Sequence, residues 1–270
     1  MFGSIIGDIV GSRFEFIENK NKEFSFFHKH CKFTDDSVMT VAVALALMHC
    51  ENINDVEELK KVSIEHMVFL GRKYPNRGYG TAFRQWLFDE SKPYNSYGNG
   101  AAMRISPVGF FCEDEEQVKK VSKAVTEISH SHPEGIKGAE ATAMAVFLAR
   151  KGWFKEDIKK RIANEYYPEI LEMTCDQIRK DYFFDVSCQG TVPQALTCFF
   201  DSIDFEDAIR NAISLGGDSD TLGAIVGGVA EAYYGIPMWI KENALEFLDK
   251  DIVKCLFEIS GKLFNYFGCI

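Results

Sequence analysis

The chain of 270 residues lacks the features that mark zinc-finger, membrane and secreted proteins. No two of its eight cysteines have the C-x2-C or C-x4-C spacing of a zinc site, and most lie beside apolar residues, so buried free thiols are expected. The longest apolar stretch, 38–48, is too short to cross a bilayer. No basic segment precedes an apolar run at the N-terminus, so no secretory signal is indicated. These absences predict a cytoplasmic protein.

Positive charge is also scarce. The chain has 30 Lys and Arg residues against 40 Asp and Glu residues, a formal net charge of −10. Such a surface disfavours a partner that is bound through its phosphate backbone. We find no low-complexity tract, no Pro/Ser-rich linker and no repeat of fixed period. Residues 1–270 are therefore predicted to form one domain.

The apolar periodicity is helical almost throughout. Segment 35–50 is apolar nearly all round, which is typical of a helix buried inside a large α domain. Segment 24–33 alone has β character, and we interpret it as a loop. Further helices are predicted at 114–130, 135–151, 155–165, 204–215, 219–234 and 238–248. The prediction is an all-α domain of about ten helices.

Two acidic clusters stand far apart in the chain, Thr34-Asp35-Asp36 and Asp218-Ser219-Asp220-Thr221. Each opens a stretch rich in Ala, Val, Leu and Gly, so each is a candidate helix N-cap. One capping side chain satisfies an exposed N–H, however, and further carboxylates add mainly repulsion. Carboxylates and hydroxyls without a nearby Lys or Arg are the ligands that Mg²⁺, Mn²⁺ and Ca²⁺ prefer. We predict a metal site if the clusters meet in the fold.

A Gly/Asn loop at 95–100 precedes an Ala-rich segment. Gly98 and Gly100 let the backbone approach a ligand closely, and a helix beginning after them would favour an anion. The alternative is that this segment forms only a turn and binds no ligand. Arg104 either pairs with a phosphate or forms a structural ion pair, and Tyr97 either stacks on a base or covers the core.

Two histidines, His130 and His132, separate two predicted helices. Their spacing is compatible with a metal-ligand pair. Because the acidic clusters already supply oxygen ligands, we favour hydrogen bonding to a substrate or to a helix C-terminus.

These motifs together resemble the ADP-ribosylglycohydrolase family over residues 3 to about 237. The resemblance rests on the segments Gly7-Asp8-Ile9-Val10-Gly11-Ser12 with Glu15, Phe33-Thr34-Asp35-Asp36, Tyr97-Gly98-Asn99-Gly100-Ala101-Ala102-Met103-Arg104, Ser129-His130 and Gly216-Gly217-Asp218-Ser219-Asp220-Thr221, in this order. The family includes the dinitrogenase-reductase-activating glycohydrolases and the ADP-ribosyl-arginine and ADP-ribosyl-serine hydrolases, and the chain looks like a compact bacterial member.

The resemblance implies a compact, orthogonal multi-helix domain with a binuclear Mg²⁺ or Mn²⁺ centre at the base of a cleft. It implies a mobile glutamate at Glu15 and a contact between His130 and the adenosine side of the ligand. The implied metal ligands are Thr34, Asp35, Asp36, Asp218, Asp220 and Thr221. The implied diphosphate contacts are Asn95, Ser96, Tyr97, Gly98 and Asn99.

The predicted reaction is hydrolysis of the N- or O-glycosidic bond of an ADP-ribosylated protein or small molecule, which releases ADP-ribose. Bond cleavage gives the ribose oxocarbenium character, and two metal ions can orient the attacking water. Glu15, Asp35 and Asp36 are the candidate bases, with Glu15 slightly favoured because a metal-bound carboxylate is a poor base. Three alternatives remain: a two-metal nucleotide phosphoesterase, an inactive ADP-ribose-binding module, and a purely structural role. A nucleic acid is expected as a partner only if it is itself the ADP-ribosylated substrate.

Overall fold

The computed structural model describes the backbone of residues 1–267 and the side chains of residues 1–263. These residues fold into α-helices, and no strand occurs among them. The helices are α1 (Phe2–Gly11), α2 (Asp35–His49), α3 (Val56–Lys73), α4 (Thr81–Phe88), α5 (Gly100–Met103), α6 (Ser106–Phe111), α7 (Glu115–Glu127), α8 (Pro133–Arg150), α9 (Lys155–Glu165), α10 (Cys175–Asp181), α11 (Cys188–Phe200), α12 (Phe205–Ile213), α13 (Ser219–Tyr234), α14 (Met238–Leu245) and α15 (Lys250–Phe267), with a 3-10 turn at Pro168–Leu171.

The predicted helices are present, and segment 24–33 is a loop as expected. The estimate of about ten helices is too low. Several of the additional helices are short, such as α5 with four residues and α6 with six. Such helices complete fewer than two turns, so they produce no apolar periodicity that a sequence can reveal.

Glycine residues on α1 and α13 allow these two helices to pack closely against each other. A Cβ atom added to Gly3 would come within 2.1 Å of the carbonyl oxygen of Gly227. At Gly11 the same atom would come within 2.4 Å of the carbonyl oxygen of Ser219. Only residues without a side chain allow two helix backbones to approach this closely. The contact fixes the register of α1 along α13.

The core is one cluster of buried apolar side chains contributed by helices from α1 to α15. Helices α2, α8 and α13 are buried on nearly all sides, which agrees with the apolar character of segment 35–50. Within the described residues, no helix combines the length and apolar character needed to span a membrane. The extent of the domain, residues 1–270, stays a prediction.

Candidate metal centre

The two acidic clusters meet, and a third helix adds a carboxylate to them. Asp8 of α1, Asp36 of α2 and Asp220 of α13 are buried, and each places a carboxylate oxygen within 4.8 Å of the others. Asp220 also belongs to a second group of the same dimensions, with Glu15 and Asp218. Five acidic side chains are therefore concentrated where the first turns of α2 and α13 face α1.

Asp8 was given no role by the sequence patterns, although it lies in the segment Gly7–Ser12 that carries the resemblance. Its Oδ2 accepts hydrogen bonds from the backbone N–H groups of Thr34 at 2.8 Å and Ser37 at 3.0 Å, and from the Ser37 hydroxyl. Its Oδ1 accepts from the Thr34 hydroxyl at 2.7 Å. Asp8 thus holds the start of α2 in place. The available signal was a carboxylate inside an otherwise apolar helix, which rarely occurs without a partner.

The capping alternative applies to one cluster and not to the other. The Thr34 hydroxyl accepts a hydrogen bond from the backbone N–H of Asp36 and caps α2. Asp218 stands at the N-cap position of α13, yet its side chain makes no capping hydrogen bond there. Its Oδ2 instead accepts a hydrogen bond from the Asn99 amide at 2.7 Å. Asp218 is therefore held by Asn99 and does not cap the helix that it precedes.

The electrostatics of the cluster are unfavourable for five carboxylates on their own. Burial raises the pKa of Asp36 well above its usual range, and the charges of Asp8 and Asp35 raise it further. Burial also raises the pKa of Asp220 well above its usual range, and the charges of Asp36 and Asp218 raise it further. Burial also raises the pKa of Asp8 to about 6, although its hydrogen bonds oppose that shift. Close carboxylates with little positive charge between them favour a bound cation.

One oxygen of Asp36 supports the same conclusion. Its Oδ1 is buried and has no hydrogen-bond partner among the described residues. Burying a carboxylate oxygen without a hydrogen-bond donor costs free energy, because the oxygen loses its hydrogen bonds to water and no protein group replaces them. A divalent cation would satisfy it. The residues present therefore fit a hard cation such as Mg²⁺ or Mn²⁺.

A cavity of about 310 Å³ opens onto these carboxylates. The glycine-rich loop forms another part of its wall, and a backbone bridge between Gly98 and Ser187 holds that loop in place. A helix does begin after the loop, as expected, but this helix, α5, is only a single turn. The predicted site residues that line the cavity are Glu15, Asp35, Asp36, Ser96, Gly98, Asn99, His130, Asp218, Asp220 and Thr221.

Three predicted site residues lie outside that lining. Thr34 is buried behind it, with its hydroxyl against Asp8. Asn95 is exposed, and its backbone N–H donates to the Ser131 hydroxyl. Tyr97 is half-exposed, and its ring meets the His132 ring edge-on with centroids 5.3 Å apart. The roles assigned to these three residues stay predictions.

His130 lines the same cavity and is buried. Its Nδ1 is 2.9 Å from the Ser129 hydroxyl, and its ring packs near Phe83 and Tyr94. Burial lowers the pKa of His130 well below its usual value, and the charge of Arg104 lowers it further. His130 is therefore a neutral imidazole near pH 7, suited to hydrogen bonding.

Arg104 is fully buried and forms no ion pair within the described part of the chain. Its Nη2 donates to the Ser129 hydroxyl at 2.8 Å, and its guanidinium lies over the Phe83 ring at 5.2 Å. Its Nε and Nη1 have no partner among the described residues. The structural ion pair considered for Arg104 is therefore wrong. The positive charge instead contributes to the electrostatics of the cavity wall.

These geometric features agree with a comparison to known proteins. A model of the family described as ADP-ribosylglycohydrolase matches residues 1–268. The chain belongs to the ADP-ribosylglycohydrolase family. The predictions of this family, of its all-α fold and of an enzyme acting on ADP-ribosyl linkages are thereby confirmed.

Relatives in this glycohydrolase family come from animals and bacteria. The chain is 27% identical to ADP-ribosylhydrolase ARH3 of Gallus gallus, with 75% of this chain and 70% of that protein covered. It is 24% identical to ADP-ribosylhydrolase ARH3 of Homo sapiens, covering 87% and 84% of the two chains. It is 27% identical to ADP-ribosylarginine hydrolase Tri1 of Pseudomonas putida, covering 54% and 42%. A solved structure titled ADP-ribosylglycohydrolase-related protein complex shares the fold, with a TM-score of 0.70, 21% identity and coverage of 96% and 95%.

Proposed function

We propose that this protein is a metal-dependent hydrolase that cleaves the N- or O-glycosidic bond of an ADP-ribosylated acceptor and releases ADP-ribose. The observation that carries the proposal is the convergence of Asp8, Asp36 and Asp220 from three helices, with Asp36 and Asp220 lining the cavity. Family membership and the relatives named for ADP-ribose hydrolysis support it. The acceptor is a modified protein or small molecule.

The cation-binding residues in this proposal are Asp35, Asp36, Asp218, Asp220 and Thr221, together with Thr34 as the sequence predicts. Two Mg²⁺ or Mn²⁺ ions, when bound, would supply positive charge for the ribose hydroxyls and for the attacking water. Asp8 is a positioning residue, because its oxygens already accept hydrogen bonds from Thr34 and Ser37. Asn99 is a second positioning residue, because its amide fixes Asp218.

Glu15 is the proposed general base. Its carboxylate is half-buried at the edge of the cavity, within 4.8 Å of oxygens of Asp218 and Asp220. No hydrogen bond to a described protein group occupies the Glu15 carboxylate, in contrast to the carboxylate of Asp8. It is thus free to accept a proton from a water held between it and the ribose. Asp35 and Asp36 are the alternative bases.

The proposed substrate orientation follows from the two ends of the cavity. The ribose carrying the scissile bond lies at the carboxylates, because the developing oxocarbenium ion is stabilised by negative charge. The diphosphate lies along Ser96, Gly98 and Asn99, and the adenosine side points to His130. The neutral His130 ring can donate or accept a hydrogen bond from a nucleoside without the cost of burying a second positive charge beside Arg104.

The reducing cytoplasm is the proposed compartment. The seven described cysteines are free thiols, and six of them are buried. Buried unpaired thiols are common in reducing compartments and rare in secreted proteins.

The direct test is incubation of the metal-loaded protein with Arg-linked, Ser-linked and nucleic-acid-linked ADP-ribose in parallel, with chromatographic detection of free ADP-ribose. We expect release from at least one substrate, and none after metal is stripped or after Asp36→Ala. Release of AMP in place of ADP-ribose would indicate the phosphoesterase. Tight binding of ADP-ribose with no turnover of any substrate would indicate the binding module.

A further inference from the structure

A second group of metal-ligand side chains lies at the opposite end of α2. That helix begins with the acidic cluster and ends at His49, 15 residues along, which is about 22 Å at 1.5 Å per residue. A cavity of about 360 Å³ opens beside His49, and its lining includes His66 and Glu258. The proposed glycohydrolase reaction uses none of these residues.

The three side chains come from three different helices. His49 Nδ1 of α2 is 3.1 Å from His66 Nε2 of α3. On the other side of the same ring, His49 Nε2 is 3.4 Å from Glu258 Oε1 of α15. The two imidazole rings have centroids 5.0 Å apart and a mutual tilt of 34°. They therefore approach through their nitrogen atoms and not through their faces.

This spacing is close to that of two imidazoles on one metal ion. For a tetrahedral Zn²⁺ with Zn–N bonds of 2.0–2.1 Å, the two nitrogen atoms are about 3.4 Å apart. A histidine that binds metal through one nitrogen commonly donates its other N–H to a carboxylate, which fixes the ring. Glu258 stands at that position relative to His49.

We propose that His49 and His66 bind a Zn²⁺-class transition-metal ion, with Glu258 as the residue that orients His49. Imidazole nitrogen selects Zn²⁺ over Mg²⁺, so this site and the acidic cluster prefer different ions. Glu65 and Cys255 line the same cavity.

The site would strengthen the attachment of α15 to the rest of the fold. His49 and His66 belong to two helices that pack together, and Glu258 belongs to α15, which also packs against α2. Metal binding at His49 fixes the ring that Glu258 contacts, so it strengthens the attachment of α15. The expected effect is on stability and not on the glycohydrolase reaction.

The test is a Zn²⁺ titration of the full-length protein in excess Mg²⁺, with bound zinc counted after equilibrium dialysis. We expect one zinc in the wild-type protein and loss of that zinc in His66→Gln and His49→Gln. Glu258→Gln should weaken binding by about tenfold. The matched control is His28→Gln, because His28 and His30 meet edge to face in a loop and no hydrogen bond joins their ring nitrogens within the described residues. This control should bind zinc as the wild type does.

Two further readouts separate the proposal from its alternatives. Co²⁺ in place of Zn²⁺ should give the visible absorption of a tetrahedral site in the wild type and not in His66→Gln. All four variants should retain metal-dependent release of ADP-ribose, which shows that they fold. Equal zinc binding by the wild type, His49→Gln and His66→Gln would overturn the proposal and leave an N–H···N hydrogen bond between the rings. Loss of zinc in His28→Gln alone would place the ion elsewhere and overturn it as well.

Discussion

Gly7 of α1 lies against Gly223 of α13 at backbone contact, and a Cβ atom on Gly7 would come within 1.9 Å of the Gly223 carbonyl oxygen. The next residue after Gly7 is Asp8, and Asp220 lies one turn before Gly223. Because the two glycines pack in contact, the carboxylates of Asp8 and Asp220 lie in one cluster. A wider separation of α1 and α13 would remove Asp8 from the start of α2.

Gly7→Ala should destabilise the fold and weaken the metal centre together. The added methyl group forces α1 away from α13, and overpacking of this kind costs about 1–3 kcal/mol in the free energy of unfolding. Urea unfolding measures the loss. Gly261→Ala is the control, because Gly261 is in α15 with no atom within 4 Å of an added Cβ. That change should be neutral or stabilising by up to about 1 kcal/mol. Equal stability of the wild type and Gly7→Ala would contradict the close contact.

Asp220→Asn should stabilise the metal-free protein. When a chelator has removed the metal, the buried Asp220 is repelled by the charges of Asp36 and Asp218. Loss of the Asp220 charge should therefore raise the free energy of unfolding by about 1 kcal/mol or more. Mn²⁺ should raise the stability of the wild type and leave that of the variant nearly unchanged. Thermal unfolding with and without Mn²⁺ provides both numbers. Asp181→Asn, an exposed acid at the end of α10, should change neither. A variant less stable than the wild type in chelator would show that Asp220 stabilises the fold on its own.

Asn99→Ala should weaken metal binding without removing a ligand. The Asn99 amide holds Asp218 Oδ2 at 2.7 Å and also donates to the Thr191 hydroxyl at 3.2 Å. Loss of a group that orients a ligand usually costs 10–100-fold, so the Kd for Mn²⁺ should rise by about that factor. Calorimetric titration gives the value. The control is Asn95→Ala. Asn95 lies in the same loop and its side chain is exposed, so this substitution should leave the Kd for Mn²⁺ unchanged. The opposite ranking of the two variants would refute the role of Asn99.

His130 should make stability depend on pH between about 5 and 6.5. Because burial and Arg104 lower its pKa, the unfolded chain takes up a proton at a pH where the folded chain does not. The free energy of unfolding is therefore fully retained above pH 6.5 and falls as pH decreases, by up to about 1.4 kcal/mol per pH unit. The groups that face His130 are Ser129, Tyr94 and Arg104, of which Arg104 is charged.

Urea unfolding of the wild type and His130→Gln over this range isolates the effect. The difference between the two proteins should be constant above pH 7 and should shrink below pH 6.5, because the variant has no proton to bind at this position. A difference that stays constant down to pH 5 would mean that His130 titrates equally in the folded and unfolded states.

Much of the candidate site was visible in the sequence because its candidate ligands are contiguous. Thr34, Asp35 and Asp36 adjoin one another, as do Asp218 and Asp220, so an excess of oxygen ligands over capping needs was visible without a structure. Asp8 lacked such neighbours. Its place in the cluster depends on the approach of α1 to α13, and glycines that permit close packing look the same in sequence as glycines in turns.

The glycine-rich loop was harder to predict than the acidic clusters. Residues 95–99 are adjacent in sequence, yet the side chain of Asn99 turns to Asp218 while Tyr97 turns to His132 on the surface. The direction of each side chain depends on local backbone angles, such as the positive φ of 55° at Asn95, and not on residue type alone. The surface histidine pair was also invisible, because His49 and His66 meet only when α2 packs on α3.

We propose that the carboxylates of Asp36, Asp218 and Asp220 jointly hold divalent metal. Anomalous diffraction from a crystal soaked in Mn²⁺ tests it most directly. We expect manganese peaks within about 2.5 Å of oxygen atoms from both acidic clusters, with Asp36 Oδ1 among the ligands. A well-soaked crystal with no manganese at these carboxylates, or with manganese only at the molecular surface, would contradict it.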